Sequence, residues 1–180
     1  MSFFTAHLAE FEILGSVLVA LLLGGLIGVE REVADKPAGL RTHMLVAAAS
    51  ALVVDLGDVV IANLSGSTGQ TVIQADPLRI IEAVTAGISF LGAGTILRRR
   101  GESRVEGLTT AASILFTAGV GISVALSQYI VAVGSTVLAL VTLRLIRSFE
   151  GRFPNNYNEE KQGEEHGKNV ERDTWSEAEK

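Results

Sequence analysis

Cysteine is missing from all 180 residues, which excludes a disulfide framework, a thiolate nucleophile and any cysteine-based zinc or iron–sulfur site. The same absence leaves the redox compartment unread. A basic surplus is missing as well: 15 Lys+Arg stand against 20 Asp+Glu, for a net charge of −5. Without a basic face to release counterions from phosphates, no nucleic-acid partner is expected. No serine sits in a nucleophile-elbow context and no His/Asp pair has motif spacing, so no catalytic residues and no enzyme are expected. Gly92-Ala93-Gly94 is a fragment of a nucleotide loop, but it follows a long apolar helix where that loop would follow a strand. No cofactor is expected; magnesium is the one ion considered below.

What the chain has in quantity is apolar residue, 48% of the total, with charge gathered into short clusters and the C-terminal end. That is a membrane profile. Residues 11–29 make an apolar run near the roughly 20 residues needed to cross about 30 Å of hydrocarbon. The first ten residues carry no Lys or Arg, unlike a signal peptide, so this run reads as a retained span. Further spans are expected at about 43–64, 77–97, 106–123 and 126–146. The fold class is therefore all-α, a polytopic bundle of five transmembrane helices over residues 1–147, with 148–180 an acidic, disordered cytoplasmic tail. His166, in that tail, has no partner suited to metal binding.

Lys and Arg alternate between connections. None precedes the first span; Arg31, Lys36 and Arg41 follow it; none lies between the second and third. Arg98, Arg99, Arg100 and Arg104 follow the third, none lies between the fourth and fifth, and Arg144, Arg147 and Arg152 close the series. By the positive-inside rule the N-terminus is outside and the C-terminus cytoplasmic.

The stretch 76–97 reads as the organising helix. Asp76 before Pro77 is a strong start, the carboxylate accepting orphan N–H groups and the proline losing nothing at the first helical position. Arg79, Glu82, Ala83, Ala86, Gly87, Phe90, Ala93 and Gly94 share one face, and Ile80, Ile81, Val84, Ile88, Leu91 and Thr95 the other. Small and charged residues favour protein contact, so the first face is expected to pack on protein and the second to meet lipid. Gly24 and Gly28 form a small-xxx-small pair, which lets another helix approach.

Two polar layers result. The outer one holds Asp55 and Asp58 on one helix with Asp76, Arg79 and Glu82 on the next. Four carboxylates and one arginine form either a weak cation site, with magnesium keeping several waters, or a local salt bridge of Arg79 with Glu82 or Asp55. The cytoplasmic layer holds Glu30, Arg31, Glu32, Arg41, Thr42 and His43. An ion network joining helix ends and a docking surface for another membrane protein are both open there. His43 is expected to be an interfacial, structural histidine.

Residues 24–32, 37–46, 76–82, 87–96 and 105–114, read in order, resemble the MgtC/SapB family of bacterial membrane proteins, over about 15–145. The resemblance implies an inner-membrane protein associated with magnesium limitation and, in pathogens, with survival inside host cells. Better-known members are thought to be regulators, including by restraining the rotary ATP synthase, and are not established magnesium transporters. Carried over by motif are Glu30, Arg31, Gly39, Arg41, Thr42, Asp76, Arg79, Gly87, Gly92, Gly94, Gly107, Thr109 and Thr110. Of the glycines, Gly24, Gly28, Gly87, Gly92, Gly94 and Gly107 are expected to serve helix packing. Many members carry a C-terminal domain like an ACT regulatory domain, which this acidic tail does not resemble. The expected function is a regulator linked to magnesium homeostasis or stress adaptation, acting on a larger membrane protein; the alternative is a magnesium permease or channel. The expected partners are the lipid bilayer and either another membrane protein or a further copy.

Overall fold

The computed structural model describes residues 2–67, 76–98 and 105–150. The expected polar loop beyond Ser67, Arg99, Arg100, Arg104 and the tail from residue 151, with His166, lie outside the described residues. Five helices account for nearly all of what is described: α1 (Ser2–Val33), α2 (Leu40–Ser67), α3 (Pro77–Ala93), α4 (Leu108–Ala125) and α5 (Tyr129–Glu150). Among the described residues, three stretches are long and apolar enough to cross a membrane, His7–Val33, Leu40–Asn63 and Leu108–Ala125. Helix α3, at 17 residues, rises only about 25 Å, short of the roughly 30 Å hydrocarbon core. The apolar part of α5, Tyr129–Leu145, is a shorter helix of the same kind. The chain divides into two units after Arg144, and the packing below belongs to the first.

The core of that unit is built by α1, α2 and α4. Ala20 and Ile27 of α1 cluster with Ala47 and Ala51 of α2 and with Val120 and Val124 of α4, joined by Ala132 and Leu143 of α5. Small residues set the spacing. A Cβ on Gly24 would stand 2.5 Å from the His43 carbonyl oxygen and 2.7 Å from the Ala47 Cβ, and one on Gly28 would stand 2.7 Å from the Leu40 Cα. From the other side, a Cβ on Gly121 would overlap the Ala47 carbonyl oxygen. Ala47 is thus held between glycines of two different helices, the close backbone approach that membrane bundles use in place of a hydrophobic driving force. The hydroxyls inside this core serve their own helices: Ser50 donates to Val46 O, Thr117 to Ser113 O and Thr136 to Ala132 O, each at 2.8 Å. These three hydroxyls are thus satisfied within their own helices.

Helix α3 is peripheral, and its faces are reversed from expectation. Ile80, Ile81, Val84 and Ile88 are half-buried, while Arg79, Glu82, Ala83, Ala86, Gly87, Phe90, Ala93 and Gly94 are exposed. Ile80 packs on Gly57 of α2 and Ile88 on the cluster of Ala38, Val46, Ile114 and Ala118. Among its residues only Gly92 is fully buried, with a Cβ position 3.5 Å from Ala111 of α4. Gly87 meets nothing within 4 Å, and Gly94 approaches only the carbonyls of its own last turn. These two glycines are not packing notches in this bundle.

The expected limits of α3 and α4 also shift. The α3 helix stops at Ala93, and Thr95 and Ile96 close a turn by donating to Gly92 O at 2.9 Å and Ala93 O at 3.1 Å. Two short strands follow, β1 (Leu97–Arg98) and β2 (Val105–Glu106), paired antiparallel with Leu97 opposite Glu106. This ladder is a small departure from an all-α fold. Gly107 then starts α4 with φ +92°, and a Cβ there would overlap the Thr95 carbonyl oxygen. Only glycine meets both conditions.

Candidate functional site

The most heavily buried charges lie where α1 ends. Glu30 and Arg31 are 6% and 3% exposed, although neighbours in sequence do not normally share a helix face. Arg31 Nε donates to Glu30 Oε2 at 2.6 Å, and the second guanidinium nitrogen reaches the same oxygen at 2.6 Å. The other carboxylate oxygen, Glu30 Oε1, is buried without a hydrogen-bond partner. A buried pair like this is weak as a source of stability but costly to break.

One turn into α2, His43 is fully buried and ties α2 to α4. Its Nδ1 lies 2.9 Å from Gly39 O and its Nε2 3.1 Å from Ser113 Oγ. A carbonyl oxygen only accepts, so Nδ1 must carry the proton, and a neutral ring then accepts at Nε2 from the Ser113 hydroxyl. That hydroxyl also lies 2.8 Å from Thr110 O, so one proton faces two acceptors. Glu32 supplies the start of α2, its Oε2 accepting from Leu40 N at 2.9 Å while packed against Gly39. Capping from the preceding helix satisfies a backbone donor that would otherwise be orphaned.

The other residues of interest do not join this cluster. Arg41 and Thr109 are exposed, Thr42 is half-buried, and Thr110 is buried beside Ser113 in sequence and space. In the outer layer, Asp55 accepts from the Ser16 hydroxyl of α1, a contact that the sequence spacing did not suggest. Asp76 caps α3 by accepting from Leu78 N at 3.0 Å. Asp58 and Glu82 are exposed. Among the described residues, no group of three or more His, Cys, Asp or Glu is placed to hold a metal ion, so Asp55, Asp58, Asp76 and Glu82 do not converge. Arg79 makes no ion pair among the described residues, with Glu82 and Asp55 included. It stands at one end of an open groove of about 550 Å³ between α2 and α3.

Across residues 17–152 the sequence matches the model of the MgtC family. The chain belongs to the MgtC family. Within it, SrpB of Synechococcus elongatus is 39% identical over 71% of this chain and 70% of its own length. An Escherichia coli K12 protein named "Putative magnesium transporter YhiD" is 35% identical over 83% of this chain and 67% of its own. Protein MgtC of Salmonella typhimurium is 36% identical over 77% of this chain and 54% of its own. The chain thus spans about half the length of some curated MgtC-family relatives. No solved structure matches it.

Proposed function

We propose that this MgtC-family chain is a regulator in the bacterial inner membrane, linked to magnesium homeostasis or stress adaptation, that acts by docking on a larger membrane protein. The observation that carries this reading is the outward stripe of α3. Glu82, Ala86, Phe90 and Ala93 are all exposed, with Phe90 84% so, whereas Gly24, Gly28 and Gly121 are already used inside the bundle. Small residues beside one aromatic on an exposed apolar helix suit a helix partner. The role requires no catalytic step and no resident cofactor.

The competing reading, a magnesium permease, draws on the name of the Escherichia coli relative and on Asp55 and Asp58. Against it stand the absence of a converging ligand set among the described residues and the backbone-to-backbone closure of the core. One pair of measurements separates the two. Tagged chain extracted in mild detergent from magnesium-limited cells should bring down a larger membrane protein, and Ala86→Trp should reduce its recovery. Recovery only as a monomer or homodimer overturns docking. In liposomes the chain should carry no magnesium flux; a flux abolished by Asp55→Asn with Glu82→Gln establishes the permease.

Loop charge further supports an orientation with the N-terminus outside, five crossings and the C-terminus in the cytoplasm. Since there is no native cysteine, Ser67→Cys should label from outside intact cells and Ser103→Cys should not. The reverse pattern rules out the orientation.

A further inference from the structure

The groove between α2 and α3 is lined by Ala49, Ser50 and Val53 on one side and by Ala83 and Gly87 on the other, with Arg79 as its one charged lining residue. The Ser50 hydroxyl is committed to Val46 O, which leaves the walls effectively apolar. No hydrogen bond or ion pair holds the guanidinium among the described residues, and Glu82, one turn away, does not line the groove. From Arg79 to Ile88 the groove follows nine helical steps, about 13 Å at 1.5 Å per residue. Half of a hydrocarbon core of about 30 Å is about 15 Å. The groove therefore has the depth of one leaflet, with its cation at one end.

We propose that this groove holds an anionic phospholipid, one acyl chain lying along Ala49, Val53, Ala83 and Gly87 and the phosphate paired with Arg79. Charge complementarity selects this occupant. An apolar helix seated here would cover Arg79 without pairing it, and burying an unpaired charge is costly. A phosphate takes two guanidinium N–H groups side by side, while the long arginine stem reaches the headgroup level from one turn inside the helix. Gly87, where a Cβ would meet nothing within 4 Å, leaves the groove floor open to the chain.

The test is native mass spectrometry of the full-length protein released from nanodiscs of phosphatidylcholine mixed with phosphatidylglycerol of the same acyl composition. Wild type should retain phosphatidylglycerol over phosphatidylcholine by about fivefold, the factor expected for one basic side chain facing an anionic headgroup. Arg79→Gln should erase the preference and Arg79→Lys should keep most of it. Gly87→Leu grows a side chain into the groove from a position with room for it, and should lower retention of both lipids while leaving thermal stability in place. An unchanged preference in Arg79→Gln, or unchanged retention in Gly87→Leu, overturns the proposal. So does efficient cross-linking of a Val53→Cys variant, on the α2 wall of the groove and away from the α3 stripe, to a second copy or to another polypeptide in native membranes, since either would fill the groove with protein.

Discussion

Arg31→Met should lower the stability of the purified protein by about 3–5 kcal/mol, the range for leaving one member of a buried ion pair behind. The reason is specific to Glu30. One of its carboxylate oxygens already lacks a partner, and both nitrogens of Arg31 that reach the carboxylate converge on the other. Removing the guanidinium strands both oxygens at a site only 6% exposed. Glu30→Leu combined with Arg31→Met should recover most of the loss, because an apolar pair of similar volume carries no desolvation cost. A double-mutant cycle on thermal unfolding in mild detergent measures this directly. A loss under 1 kcal/mol in Arg31→Met, or additive losses in the double variant, would show that the pair is not acting as a buried unit.

That result bears on what the residue pattern alone could reveal. The long apolar runs of α1, α2 and α4 were legible because hydrophobic length is a strong signal, and the Gly24–Gly28 spacing pointed to the helix pair that the structure contains. The faces of α3 were not legible. Lipid and protein interior are equally apolar, so Ile80 and Ile88 can face either, and small residues turn inward only when another helix is there to meet them. Ile80 found Gly57, and Ala86 stayed exposed. The limits of α3 and α4 moved for a local reason, since the turn at Thr95 ends α3 and the left-handed backbone of Gly107 sets where α4 starts, and the apolar pattern marks neither. Asp55, Asp58, Asp76 and Glu82 shared an inferred height, but equal height says nothing about lateral distance, and Asp55 turned to Ser16 instead. Nor does any spacing rule announce that sequence neighbours such as Glu30 and Arg31 will both be buried, or that His43 will join α2 to Ser113 across 70 residues.

Two glycines of α4, only two residues apart, should respond to the same substitution with opposite sign. At Gly119 a Cβ would meet nothing within 4 Å, so Gly119→Ala should gain helix propensity alone, about 0.5–1 kcal/mol. At Gly121 the added Cβ overlaps the Ala47 carbonyl oxygen and crowds the Ala47 Cα, 3.1 Å away. Those atoms are backbone of α2, and α2 cannot yield there because Ala47 is pressed from the opposite side by Gly24, whose own Cβ position is 2.7 Å from the Ala47 side chain. Relief requires α4 to separate from α2, which also pulls on the His43–Ser113 hydrogen bond and opens the cluster around Val120 and Val124. Overpacking of this kind costs about 1–3 kcal/mol and more when backbone must move, so Gly121→Ala should be a net loss despite its propensity gain, and Gly121→Val should be worse by a further step. Thermal unfolding of the three variants in one detergent makes the comparison internal. Equal responses at 119 and 121 would mean that α4 does not approach α2 at glycine distance, and the core would not be closed against a permeation path.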